Sequence, residues 1–207
     1  MGKGKLLFIF INVLVIGVGF GQELRFDPDV VLGNRSITYK HLVKYTLNQK
    51  LTVDNLTLFD TEYNTDENNL FFIRNTVSYS MFKNVSANAA IGIKNPGAFS
   101  TLSMSYTYRS PNFLGIYTVG GTYQKGVSLE QSLVMSYMPV LGKGNRGYLN
   151  LLATANLNSN GYTRGLQQVK VGIQKKLLTT GIAVNLDQFN NAKRTLTNFG
   201  IFFKYNF

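Results

Sequence analysis

Asp60, Glu62, Asn64 and Asp66 place an oxygen-bearing side chain at every second residue, the spacing with which a calcium loop presents its first ligands. No Gly supplies the sharp turn of such a loop and no distal Glu closes it, so the four residues are a weak calcium candidate. The stretch from Asp54 to Asn69 reads instead as an acidic polar loop. His41 is the only histidine and Cys is absent, which leaves no His/Cys set for a transition metal, no thiolate nucleophile and no disulfide framework. A Gly-rich phosphate loop is also missing. These residue types point to a protein that needs no cofactor and carries no catalytic constellation.

The charges are more informative. Residues 68–207 contain fourteen Lys and Arg but only Glu130 and Asp187 as acids, whereas the acids Glu23, Asp27, Asp29, Asp54, Asp60, Glu62, Asp66 and Glu67 all precede them. Arg74, Lys94, Lys170, Lys204 and Glu130 stand out because each lies on the polar side of a segment whose other side is apolar.

From Leu70 onward the chain breaks into such segments, each of about ten residues with a period of two, separated by turn residues. Phe71, Ile73, Val77, Tyr79 and Met81 oppose Arg74, Thr76, Ser78 and Ser80, and Leu102, Met104, Tyr106 and Tyr108 oppose Ser103, Ser105 and Thr107. Asn95–Gly97, Pro139–Asn145 and Asn158–Gly161 supply turns. The segment Phe113–Tyr123 alternates too, but its facing is ambiguous. Nine strands follow Leu70, and one more over Val43–Val53 makes ten.

Only 15% of the chain is charged, and Trp is absent. Met1 to Gln22 has Lys3 and Lys5 ahead of an apolar run and small residues after it, the pattern of a cleaved secretory signal. No later run is long enough for a spanning helix. Any membrane crossing therefore falls to strands whose backbone groups pair with each other, which requires a closed barrel. The expected fold is all-β, a transmembrane antiparallel up-and-down β-barrel of about ten strands, with eight or twelve also compatible. The expected organisation is a signal over 1–22, a periplasmic tail over 23–42 and the barrel over 43–207.

The last segment places Thr197, Phe199, Ile201, Phe203, Tyr205 and Phe207 on one face. Asn198, Gly200, Phe203, Tyr205 and Phe207 together resemble the C-terminal aromatic assembly signal of small Gram-negative outer-membrane β-barrel proteins. That resemblance implies an outer-membrane location and recognition by the barrel-assembly machinery, through pairing of an open strand edge. It covers one strand and implies a class of protein, with no particular activity.

In such a barrel Arg74, Lys94, Lys170, Lys204 and Glu130 point into the lumen, with Glu130 as counter-ion, because unpaired buried charge is costly. The leading expectation is a non-enzymatic structural or accessory barrel, a component of a larger outer-membrane complex. A narrow passive channel for small or anionic solutes is the alternative, since basic groups around a pore favour anions. A lipid-active barrel enzyme is the third reading, and lone His41 gives it little support. The expected partners are outer-membrane lipid, lipopolysaccharide phosphates met by the basic excess, the assembly machinery and a protein partner. Nucleic acid is excluded by export.

Overall fold

The computed structural model describes residues 23–95, 97–189 and 191–207; the expected signal over Met1 to Gln22 lies outside them. The described chain is all antiparallel β, with no helix long and apolar enough to cross a membrane. Its strands are β1 (Glu23–Gly33), β2 (Ser36–Thr46), β3 (Leu51–Glu62), β4 (Leu70–Phe82), β5 (Val85–Lys94), β6 (Gly97–Arg109), β7 (Phe113–Tyr123), β8 (Val127–Tyr137), β9 (Val140–Gly142), β10 (Asn145–Asn158), β11 (Gly161–Lys175), β12 (Leu178–Phe189) and β13 (Arg194–Tyr205).

Each long strand pairs with its chain neighbours, β8 passes to β10, and β13 pairs with β1, so the sheet closes on itself. The three-residue β9 pairs only with the start of β10 and stands outside the ring. Twelve strands therefore form the wall. The even count puts both ends of the described chain, Glu23 and Phe207, at one end of the barrel, here the near end, with the turns after β1, β3, β5, β7, β10 and β12 at the far end.

The expected count of ten is corrected at the N-terminal side. Residues 23–42, expected as a periplasmic tail, form β1 and the first part of β2. The expected strand Val43–Val53 is the end of β2, a turn, and the start of β3. That turn contains neither Gly nor Pro. It is made by Asn48, whose Oδ1 accepts from the backbone N–H of Lys50 and Leu51 at 2.9 Å each, the local side-chain bonding that makes Asn a turn former. Register explains why alternation gave no sign of it: Tyr45 pairs with Val53 and Val43 with Asn55, so the odd-numbered residues stay on one face across the turn.

Facing follows from register and ion pairs. Outward positions carry the large apolar side chains, with Leu102 72% and Ile91 67% exposed, and β7 turns Tyr117, Val119 and Tyr123 the same way. Tyr45, Tyr79, Tyr106, Tyr137 and Tyr205 give the near end an aromatic girdle. An apolar exterior of this extent is a lipid-facing wall. Inside, Val31, Tyr148, Ala183 and Phe202 form a small apolar cluster with Met138 against it.

Closure is made at the seam between β13 and β1. Its ladder runs from Asp29↔Lys204 to Gly33↔Gly200. It stops at Pro28, whose ring nitrogen faces β13 and has no hydrogen to donate. The N–H of Phe207 resumes the contact by donating to Phe26 O at 3.1 Å, and the two rings stack at 5.6 Å. A Cβ on Gly200 would meet Leu32 O at 2.0 Å, so the strands approach too closely for another residue. Asn198 is fully buried and reaches across β1 to the turn beyond it. Its Oδ1 accepts from the N–H of Arg35 (2.9 Å) and Ser36 (3.2 Å), and its Nδ2 donates to Ser36 O (3.1 Å). Replacing Asn198 with Ala leaves three buried backbone groups unpaired. Urea unfolding in micelles is expected to show a loss of about 1–3 kcal/mol, and an unchanged midpoint would contradict this latch.

Candidate functional site: the barrel interior

The interior is built from the inward residue of each alternating pair, and charge organises it into two clusters. The first centres on Asp29, 3% exposed. Lys204 lies across the seam from it on β13 and Lys40 beside it on β2. Lys170 reaches it from β11, placing Nζ 2.6 and 2.5 Å from the two carboxylate oxygens. Lys40 Nζ is 3.7 Å away. Lys170 also lies 5.1 Å from the Phe202 ring centroid, and Lys204 6.0 Å from that of Tyr148. One carboxylate thus holds two ammonium groups, Lys170 and Lys40, with Lys204 on the neighbouring strand, and Asp27 is engaged by Arg25 at 2.6 Å.

The second cluster lies on the opposite wall, towards the far end. Arg74 on β4 donates through Nη1 to Glu130 Oε1 on β8 at 3.3 Å, a contact that spans the intervening strands β5–β7. Phe72 and Phe99 stack at 5.5 Å beneath it. Arg74 lies over Phe72, and Lys94 sits over Phe99 at 4.9 Å. Gly92 makes room for Phe99, since a Cβ there would meet that ring at 2.7 Å. Arg164 pairs with Asp187 through two bonds of 3.1 and 2.6 Å, a geometry suited to guanidinium and carboxylate. Arg74 Nε and Asn156 Oδ1 are buried without a protein partner.

Arg74, Lys94, Glu130, Lys170 and Lys204 lie on the inward side of their strands, and Arg74 meets Glu130. They do not form one ring: Lys170 and Lys204 belong to the Asp29 cluster, Arg74, Lys94 and Glu130 to the other. Sequence reasoning missed Asp27, Asp29, Arg35 and Lys40 because residues 23–42 were read as a tail. The signal that would have found them is the alternation of Leu24, Phe26, Val30 and Leu32 against Arg25, Asp27, Asp29 and Val31.

The calcium candidate is also corrected. Asp54 and Asp60 lie within β3, not in a loop, and Asp60 and Glu62 are occupied by Arg35: Arg35 Nη2 donates to Asp60 Oδ2 at 2.7 Å and Nη1 to Glu62. Asp60 Oδ1 further accepts from Ser36 Oγ (2.6 Å) and Thr38 Oγ1 (2.8 Å). Asn64 and Asp66 lie in the turn beyond. Among the described residues no three His, Cys, Asp or Glu side chains gather as a metal site. His41 is on the outer wall, with its ring against Phe26 and Tyr39, away from the lumen.

Of the residues expected to form an assembly signal, Asn198 and Gly200 face inward at the seam, while Phe203 and Tyr205 face outward and Phe207 stacks on Phe26 and Tyr205.

Between the clusters the wall of β5–β8 presents small, half-buried groups, Asn88, Ser103, Ser105, Thr118 and Ser132. Their side chains bond to each other, as in Asn88 Nδ2→Ser105 Oγ (2.8 Å) and Ser105 Oγ with Thr118 Oγ1 (2.8 Å). This side is polar and shallow, whereas the β10–β2 side is packed.

A closed twelve-stranded antiparallel wall with an apolar exterior and a charged interior is a transmembrane β-barrel architecture. No family model matches the sequence, nor does any curated protein. Among solved structures, the KdgM porin in complex with disordered oligogalacturonate aligns with a TM-score of 0.55 at 9% identity, over 88% of this chain and 99% of that one. The KdgM porin alone gives the same score and coverage at 10% identity. The COG4313 outer membrane channel from Pseudomonas putida F1 aligns at 0.47 and 9% identity, over 90% and 95%. At these identities the likeness is one of fold.

The Asp29 cluster yields a stability prediction. Asp29→Ala strands the buried Lys170 ammonium and is expected to cost about 3–5 kcal/mol, measured by denaturant unfolding in micelles. Asp29→Ala combined with Lys170→Met removes the stranded charge and is expected to recover most of that loss. Equal loss in the single and double variants would contradict the pairing.

Proposed function

We propose that this protein is a narrow passive channel of a Gram-negative outer membrane, admitting small solutes with a preference for anions. The observation that carries the reading is the division of the lumen. Packed side chains fill the β10–β2 side, and a small-residue polar wall on β5–β8 lies beneath the Arg74–Glu130 bridge, which acts as the constriction. The fold shared with the KdgM porin supports a conducting barrel. A carboxylate-bearing solute, as in one of the KdgM complexes, is the class that the surplus positive charge around Asp29 accommodates.

In this reading a cleaved signal over 1–22 directs export and the near end is periplasmic, as an even-stranded barrel requires. The last strand, from Asn198 to Phe207, is the edge offered to the assembly machinery before β1 closes on it. The near-end turns carry exposed Lys50, Lys83, Lys143 and Lys176 with no acid among them, whereas the far-end turn after β3 carries Asp66 and Glu67. An anion that passes the constriction therefore moves towards positive potential. Lys125, Lys193 and Arg194 at the far end are the groups within reach of lipopolysaccharide phosphates. No residue of the interior is assigned a catalytic role.

The packed β10–β2 side favours a second reading, a filled structural barrel that serves a larger complex. Planar-bilayer recording separates the two. The channel reading predicts unitary steps with an anion-selective reversal potential in a KCl gradient. It also predicts a larger step for Arg74→Ala, which opens the constriction. Absence of conductance in the wild type and in both Arg74→Ala and Lys170→Ala would leave the structural reading standing and refute the channel.

A further inference from the structure

The lipid-facing wall is mostly apolar, with two polar patches among the described residues: one on β3 and β4, where Asn55 Nδ2 donates to Asn75 Oδ1 and Thr57 Oγ1 to Asn55 Oδ1, and one over β8, β10, β11 and β12, which is also concave. On β10 the outward positions Leu149 and Leu151 are followed by Ala153 and Ala155. In register, Ala153 is flanked by Leu133 and Gln167, and Ala155 by Gln131. The two small side chains cut a trough between taller neighbours, and the resulting groove has a volume of about 450 Å³, within the range of small-molecule sites.

Its sides are amides, where most of the wall carries Leu, Ile, Val and Tyr. Tyr117 Oη donates to Gln131 Oε1 at 3.0 Å. Tyr162 Oη (3.2 Å) and Gln167 Nε2 (3.1 Å) both donate to Gln188 Oε1. These bonds use the acceptor oxygens. The Nε2 groups of Gln131 and Gln188 have no acceptor among the described residues, and unpaired donors facing hydrocarbon are costly.

The far end of the groove is roofed by the β12–β13 turn, where Asn191 and Ala192 line it. Both hold left-handed backbone, at φ 57° and 60°, a conformation that costs energy at a non-Gly residue, Ala especially. The turn is tied down by the Asn191 N–H, which donates to Tyr162 O at 3.1 Å.

We infer that this groove is a binding site for a membrane lipid, taking one acyl chain along Ala153 and Ala155 and holding its neutral ester, amide or hydroxyl linkage with the free amide donors of Gln131 and Gln188. The lining is uncharged, which favours the acyl linkage over the phosphate. A concave trough is not self-complementary, so a second copy of the barrel fits it poorly. The inference rests on the membrane-spanning reading of the wall and is independent of whether the lumen conducts.

The test uses the full-length protein in phosphatidylethanolamine vesicles doped with a phosphatidylethanolamine that carries a diazirine in one acyl chain. After irradiation the adducts are mapped by peptide mass spectrometry. Adducts on β8 and β10 around Gln131–Leu133 and Ala153–Ala155 are expected to exceed those around Ile91 and Leu102 by about five-fold. Ala155→Trp, which fills the trough, removes the excess, and Ile91→Trp leaves it. The pair Gln131→Leu and Gln188→Leu lowers it several-fold. Equal labelling around the wall, an excess that survives Ala155→Trp, or adducts replaced there by protein–protein cross-links between copies would overturn the groove. No labelling even at Ile91 and Leu102 would overturn the membrane-spanning reading, and the groove with it.

Discussion

A sheet set in hydrocarbon has no solvent to satisfy the row of N–H and C=O groups along an open edge, and this one constraint organises the molecule. It forces the last strand to find the first. The seam is made by a short ladder, by a Gly33–Gly200 approach that only glycine permits, and by Asn198 reaching past β1 to the turn behind it. Once the seam closes, β1 cannot be a tail. Its Asp29 is carried into the lumen, where it meets Lys170 from the far half of the chain.

Closure also explains the charge asymmetry. Acids concentrated before residue 68 and bases after it look, in one dimension, like a segregated chain. In the ring, Asp29 on the first strand sits beside Lys204 on the last and receives Lys170 from β11, so segregation along the chain becomes pairing in space. The pairing is incomplete: Lys170 and Lys40 share the Asp29 carboxylate with Lys204 close by, and the near-end turns are basic. The proposed anion preference rests on that surplus, with the Arg74–Glu130 contact across β5–β7 dividing a packed side from a polar one.

Much of this was legible in the sequence, for a physical reason. Wherever one face meets lipid and the other a polar lumen, period two is compulsory, so the nine wall strands from Leu70 onward could be read directly. The first three strands could not. The turn at Leu47–Lys50 relies on an Asn side chain and preserves parity, which hid a strand boundary. In β1, the run Asp27-Pro28-Asp29 looks like a loop because the proline ends a ladder on one side only. Asp60 and Glu62 mimicked calcium ligands because alternate acids on a strand share the spacing of alternate acids in a metal loop; Arg35, far from them in sequence, decides between the two. The alanine trough on β10 was present as residue types, but its depth depends on neighbours that only register brings together.

The central claim, that Glu23–Gly33 is a wall strand sealed against the C-terminal strand, is open to a direct measurement because the chain has no cysteine of its own. Val30 and Phe203 are partners in the seam and both face outward. With Val30→Cys and Phe203→Cys introduced together, oxidation of the folded protein in membranes should give a disulfide within the chain, and the single Val30→Cys variant should resist a membrane-impermeant maleimide. No disulfide, with rapid maleimide labelling at position 30, would show that the segment hangs free and that the barrel closes without it.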